Sequence, residues 1–403
     1  METRQRNGLE IAARRKIKKQ GEVWIVPSQS GSGHYKVSIT EEAETCTCDD
    51  FGLRRSRCKH IWAVRFKLER DGGLSYDVPL PTKEPARSPR KTYPQDWPAY
   101  NAAQCGEKRD FRRLLHDLCR GIELPHQKRG RPPIPVSDVL YAAILRQFLG
   151  LAGRRSTCDI EDAADLDFIE DAMHFNTVLR VLRREDVTPI LLRLVAESSS
   201  PLAALEDDVA VDATGMSTGE RVPWYDAKYG RKSDFTNWRK LHFLCGTRTH
   251  TVICAIPSPG PHNDDRYFRS LIHAIPRKFR LTALSADKAY LDMANFSLLE
   301  ELDITPYIPF KRDSVSTDRH PAIWQVMYAY YEQNREQFLK EYHRRSNAES
   351  VVSAIKRKYG ERLRSKTETS QDNEILARVI ANNIYVLIQS IYEHHLQPEF
   401  WGK

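Results

Sequence analysis

Three carboxylates carry the clearest chemical signal in this sequence. Asp212 lies in VAVDATGM (209–216), Asp287 in LTALSADKAY (281–290), and Glu349 in the basic stretch EYHRRSNAESVVSAIKRKYGERLRSK (341–366). The first two each follow a β-type apolar run. An aspartate at a strand end commonly serves as a turn former. Two of them on adjacent strand ends of one sheet, however, bring both carboxylates into one crevice. Phosphodiester displacement uses such a crevice: divalent ions about 3.5–4 Å apart clamp the attacking and leaving oxygens. Magnesium favours hard carboxylate oxygens. Two aspartates rarely suffice, so a third acid is needed. Glu349 has an ordinary role open to it as the i,i+4 salt-bridge partner of Arg345. Yet Tyr342 and Lys356 stand seven residues before and after it, about two helical turns, so all share one face. On that stripe Glu349 would bind metal, while Tyr342, Arg345 and Lys356 contact DNA, the two cations through phosphates.

A second cluster is TCTCDDFGLRRSRCKHIW (45–62), which spaces Cys46-x-Cys48 ahead of Cys58-x-His60. Four such ligands suit one tetrahedral zinc. The other cysteines, Cys105, Cys119, Cys158, Cys245 and Cys254, are scattered and read as inert core residues. A disulfide scaffold would need denser, paired spacing.

These residues need elements to position them. A basic helix leads into two predicted strands, 22–26 and 35–39, joined by a Ser/Gly turn over 28–33. The cysteine cluster follows, then a helix over 61–68. Prolines 79, 81, 85, 89, 94 and 98 mark a semi-rigid connector. The pattern is helical from Asp110 to Leu205, with Ser137 and Thr157 as expected N-caps. After Glu206 come a strand ending near Asp212, a hairpin around Arg248–His250, then alternating helix and strand. A helical stretch over 322–359 and an apolar helix over 373–394 close the pattern. This predicts an α/β chain in four parts: a zinc module over 1–73, a linker over 74–109, a helical domain over 110–205, and a mixed-sheet domain over 206–396 that carries the paired carboxylates.

Composition limits the partners. The 403 residues are 40% hydrophobic and carry 62 Lys+Arg against 54 Asp+Glu, a formal charge of +8. That excess fits a nucleic-acid partner. No run of about 18 apolar residues is present, so no membrane span is expected. The charged N-terminus lacks a signal core. The expectation is an intracellular protein.

Two resemblances add to this reading. Residues 20–70 resemble the SWIM zinc finger through Cys46-x-Cys48 and Cys58-x-His60, which implies nucleic-acid or protein binding. The basic run Arg54, Arg55, Arg57 and Lys59 points to nucleic acid. Tyr342-x2-Arg345-x3-Glu349-x6-Lys356, with the VDATGM and SADKAY blocks, resembles the tyrosine–arginine–glutamate–lysine signature of bacterial and archaeal insertion-sequence DDE transposases, over residues 95–395. That likeness implies an RNase H-like core with Asp212, Asp287 and Glu349 as ligands of two magnesium ions, manganese being an alternative. It implies cleavage at the element's ends, then attack of the freed 3′-hydroxyl on target DNA. It also implies a homodimer on double-stranded DNA, in the cytoplasm at the nucleoid of a prokaryote. Between Asp287 and Glu349 the pattern leaves no room for the large β-rich insertion of some relatives. A domesticated, non-catalytic DNA-binding protein and an RNase H-like nuclease without strand transfer are the alternatives.

Further DNA contacts are read from Lys311 and Arg312 at a strand end, and from the basic, aromatic loop 221–238. Lys128-Arg-Gly-Arg-Pro132 resembles a minor-groove hook, or a chain entering a helix. Asn176, Thr177, Arg180, Arg183 and Arg184 would face DNA if helices 137–195 form a helix-turn-helix; plain three-helix packing is the other reading. Asp264 or Asp265 is expected to cap a helix, or to assist a metal.

Overall fold

A computed structural model describes residues 3–28, 33–40, 43–72, 96–122, 134–218 and 238–401. The 128–132 hook and loop residues 221–237 lie outside them. The chain forms two units, 1–94 and 95–403.

In the first unit, α1 (Thr3–Arg14) precedes an antiparallel sheet of β1 (Lys18–Gln20), β2 (Val23–Pro27), β3 (His34–Ile39) and β4 (Glu44–Cys46), followed by α2 (Asp49–Arg54) and α3 (Lys59–Asp71). Alternation in β2 buries Trp24 and Val26 against Val37, Ile11, Ile61 and Val64. Gly8 lets α1 approach α3 closely: a Cβ there would lie 2.5 Å from the Trp62 Cβ.

The second unit starts with α4 (Trp97–Arg120), α5 (Val136–Phe148), α6 (Thr157–Asp165), α7 (Phe175–Val181) and α8 (Val187–Ser199). Five strands follow: β5 (Asp208–Ser217), β6 (Trp238–Gly246), β7 (Val252–Pro259), β8 (Ala283–Ala286) and β9 (Thr305–Tyr307). Around the last two run α9 (Phe268–His273), α10 (Met293–Glu301), α11 (Ala322–Gln333), α12 (Arg335–Tyr342), α13 (Ser346–Tyr359) and α14 (Glu368–His394). The sheet order is β7-β6-β5-β8-β9. β5, β6 and β7 pair antiparallel, whereas β8 runs parallel to β5 and β9 parallel to β8. One face, with Ala210, Met216, Leu241, Phe243 and Cys245, shares a core with α4, α5, α8, α13 and α14. The other, with Val209, Val211, Leu244, Leu284 and Ala286, packs on α9, α10 and α11.

Several boundaries differ from the sequence reading. The second helical segment is no separate domain, because its apolar faces complete the core of the sheet. The linker does not reach 109: Asp96 accepts the Ala99 N–H at 3.0 Å and Pro98 sits in the first turn, so α4 begins at Trp97. Pro135, not Ser137, stands at the N-cap of α5. Ser156 precedes α6, while the Thr157 hydroxyl donates to the Arg154 carbonyl. Cys105 and Cys158 are exposed rather than core residues.

α14 is long and apolar enough to cross a membrane, but 72% of its apolar window is buried inside this fold. Its Asn383, fully buried, accepts the Val252 N–H at 2.8 Å and donates to the Val252 carbonyl at 2.7 Å and to Ser198 at 2.9 Å. One amide thus joins α14, α8 and β7. Asn383→Ala is expected to cost roughly 3 kcal/mol, because it leaves buried backbone groups unpaired. A denaturant midpoint within error of wild type would contradict this.

Candidate active site and zinc cluster

The register of the sheet places the two aspartates. Val211 pairs with Ala286 as the last partners of β5 and β8, so Asp212 and Asp287 are the next residues on neighbouring parallel strands. Alternation turns Asp212 away from the Val211/Ala286 face and toward the start of α13. The sequence reading ended the first strand near Asp212. Instead β5 continues to Ser217, because β6 pairs with it as far as Trp238. Only β8 stops. The crevice therefore opens where one neighbour ends and the other goes on.

The helical stretch is likewise interrupted. Tyr342 closes α12, His343–Arg345 form a 3-10 turn, and Glu349 lies in the first turn of α13. A single continuous face from Tyr342 to Lys356 is thus corrected. The break swings Arg345 toward the sheet, where its Nη1 donates to Asp212 Oδ2 at 3.0 Å and its Nη2 to Glu349 Oε1. The i,i+4 partner is present, and Asp212 shares it. Glu349 is 62% exposed, against 21% for Asp212. Asp287 accepts the Ala289 N–H at 3.3 Å.

Burial raises the Asp212 pKa above its ordinary 3.8, and repulsion from Glu349 and Asp287 adds to this; the Ala213 N–H and Arg345 oppose it. Burial works against the Arg345 charge, but Asp212, Tyr342 and Glu349 outweigh it and raise its pKa. Burial also pushes the Tyr342 hydroxyl up. The sign for stability follows. A raised folded pKa favours protonated Asp212, a contribution present below 3.8 and lost as pH rises through the folded value. Asp212→Asn is therefore expected to raise the denaturant midpoint of metal-free protein at pH 7, with a gain that shrinks toward pH 4. A loss of stability at pH 7 would show that the Arg345 pair dominates instead.

The other expected DNA ligands are in different states. Lys356 pairs with Glu361 at 3.1 Å. Lys311 and Arg312 are exposed and line a cavity of about 760 Å³ with Lys288, Tyr328 and Arg335, beginning one residue from Asp287. Asn176, Arg180, Arg183 and Arg184 are exposed and Thr177 half-buried, and Arg184 pairs with Asp186. Asp264 does not cap a helix with its side chain: it pairs with Lys240 at 2.7 Å and lies 3.5 Å from His242, whose pKa burial lowers to about 4. Asp265 accepts from Asn295 at 2.6 Å. The Lys240–His242–Asp264 group escaped sequence reading, since Asp264 lies apart in sequence from the two β6 residues it joins.

In the first unit, Cys46 ends β4, Cys48 and Cys58 stand at the N-caps of α2 and α3, and His60 lies in the first turn of α3. Their ligand atoms all lie within 4.8 Å of one another, and all four residues are buried. His60 Nδ1 is 3.8 Å from Cys46 Sγ and 3.9 Å from Cys58 Sγ. The hydrogen bond from Cys46 holds the Cys58 thiol down at about 4. Free, converging, buried thiols with one imidazole fit a structural zinc ion. No other such group of ligand atoms is found among the described residues, the three carboxylates included. The basic run is partly spent within the unit: Arg57 binds Glu44 at 2.5 Å and Arg54 lies 3.6 Å from Asp50.

Residues 204–384 match the family model of the transposase DDE domain, and residues 35–67 that of the SWIM zinc finger. The chain is thus similar to the transposase DDE domain in one unit and to the SWIM zinc finger in the other. No solved structure matches it. The DDE domain as matched spans β5 to most of α14, so it contains Asp212, Asp287 and Glu349. It leaves out α4 to α8, which nonetheless share its core. The SWIM finger contains all four zinc-type ligands.

Proposed function

We propose that this protein is a DNA transposase that cuts at insertion-sequence ends and joins the 3′-hydroxyl ends to target DNA. The observation that carries the reading is the register of Asp212 and Asp287, side by side beyond the end of β8, with Glu349 linked to Asp212 through Arg345. The strand order β7-β6-β5-β8-β9, three antiparallel strands followed by two parallel ones, supports an RNase H-like core.

The donor set fits divalent cations. Asp212 is a partly buried carboxylate whose pKa burial raises, helped by repulsion from Glu349 and Asp287, even with Arg345 beside it. Hard oxygens in that state favour magnesium, with manganese as a substitute. Asp212, Asp287 and Glu349 would hold two such ions. Bound there, they supply Lewis acidity to the attacking and leaving oxygens of a phosphodiester. Arg345 now neutralises two of the three acids, and released from them it becomes a phosphate ligand at the same crevice. Tyr342, which interacts with Arg345, is a DNA-contacting side chain beside it. Lys356, Lys311 and Arg312 bind flanking phosphates, positioning DNA without reading its sequence. Zinc at Cys46, Cys48, Cys58 and His60 keeps the finger folded. A homodimer pairs two ends.

Strand transfer separates this reading from a nuclease. Purified protein with magnesium and a pre-cleaved end is expected to join that end to plasmid DNA when it carries a 3′-hydroxyl, and to give no product when the 3′ end is dideoxy. Cleavage of intact ends without joining would favour the nuclease.

A further inference from the structure

α14 buries an ion pair almost completely: the side chains of Glu374 and Arg378 are 0% and 1% exposed, with Nη2 and Oε1 2.5 Å apart. Burying two charges costs several kcal/mol per ion even after relaxation, and well-packed apolar residues are often as stable. These charges do something apolar side chains cannot do, which is to hold backbone. Glu374 accepts the N–H groups of Arg364 at 3.1 Å and Ser365 at 2.8 Å. Arg378 donates to the carbonyls of Gly360 at 2.7 Å and Arg362 at 2.8 Å. Gln371 adds a bond to the Ser365 carbonyl at 3.2 Å. The segment 360–366, which joins α13 to α14 without helix, is thus fixed from beneath.

Its outer side carries three cations and one acid, Glu361, which pairs with Lys356 at 3.1 Å, while Arg364 also donates to the Gly150 carbonyl at 2.9 Å. Arg362, Arg364 and Lys366 are exposed, and Leu363 between them is buried as an anchor. The segment also has a defined place. The Leu363 N–H donates to the Ser217 carbonyl at 2.8 Å, and Arg362 bridges Ser217 in parallel, so it lies beside the part of β5 that runs beyond Asp212. Ser217 is five residues past Asp212, about 17 Å along a strand. Duplex DNA rises about 3.4 Å per base pair, so that span is roughly five base pairs.

We propose that residues 360–366 form a rigid strap for the phosphate backbone of duplex DNA, about half a helical turn from the acid centre, and that Glu374 and Arg378 are its positioning residues. The proposal rests on the DNA-acting reading of the same unit. Its test is the salt dependence of binding of the full chain to a 40-base-pair duplex of arbitrary sequence. Each lost phosphate contact lowers the slope of log affinity against log salt by about 0.9. The triple variant R362Q/R364Q/K366Q is expected to lose two to three from the slope, and to bind roughly 100-fold more weakly at about 0.15 M salt. Glu374→Gln keeps all three cations but turns an amide NH2 toward either Arg378 or the segment's N–H groups, so it cannot hold both as the carboxylate does. It is expected to lose one or more from the slope in protein that circular dichroism shows to be folded. Arg378→Lys, which keeps the charge but cannot hold both carbonyls, should do the same. If wild type binds and the triple variant keeps its slope, the strap is overturned while the DNA reading stands. If folded Glu374→Gln and Arg378→Lys keep the full slope, the pair only supports the fold. If wild type fails to bind the duplex even at low salt, the underlying reading falls and the strap with it.

Discussion

Cys48→Ser is expected to release the zinc ion and unfold the N-terminal unit, leaving the second unit intact. The effect should be large because little else holds that unit together. Its core is small, built around Ile11, Trp24, Val26, Val37 and Ile61 and including Cys46, Cys48 and Cys58 themselves, and so small a core supplies only a few kcal/mol of net stability. α2 and α3 begin at Cys48 and Cys58, neither with a side-chain cap, so metal bonds would fix both helix starts. Structural zinc contributes about 10–16 kcal/mol of apparent binding free energy in small fingers at neutral pH. Atomic absorption should find one zinc per chain in wild type and almost none in the variant. The thermal transition of the second unit should stay in place, because its core is its own. A variant that keeps one zinc per chain would contradict the four-ligand assignment.

Asp287→Asn is expected to lower the rate of DNA strand cleavage by roughly 10³-fold or more, with duplex binding changed only a few-fold. Metal-assisted charge stabilisation is worth several kcal/mol, and about 1.4 kcal/mol is tenfold in rate. The substitution is mild for the fold. Asp287 accepts one N–H, from Ala289, and an amide oxygen accepts it as well. Cleavage within tenfold of wild type, in folded protein, would remove Asp287 from the reaction.

Much of the candidate site was legible because its signals are local. The β-type runs before Asp212 and Asp287 become β5 and β8, and the cysteine spacing maps onto a strand end and two helix starts. What escaped reading depends on pairing between distant segments. β1 and β4 are three residues each, too short for alternation to show. The continuation of β5 past Asp212 is set by its pairing with β6. The break at His343–Arg345 lies inside a sequence with uniform helical character, and Arg345 pairs there with an aspartate on β5. Glu374 and Arg378 look like a surface i,i+4 pair, and only the packing around α14 shows them buried. The division into separate helical and catalytic domains failed for the same reason: apolar stripes on α4, α5 and α8 give no sign in sequence that their partner is the sheet.

The central claim is that Glu349 completes a cation-binding centre with Asp212 and Asp287. The most direct test is magnesium-dependent cleavage of DNA carrying the element's own ends, wild type beside Glu349→Gln. That change preserves size and removes the charge that Arg345 now holds. Wild type is expected to cut, and the variant to bind the same DNA without cutting. Equal cutting by both would make Glu349 a salt-bridge partner of Arg345 and nothing more, and would contradict the account.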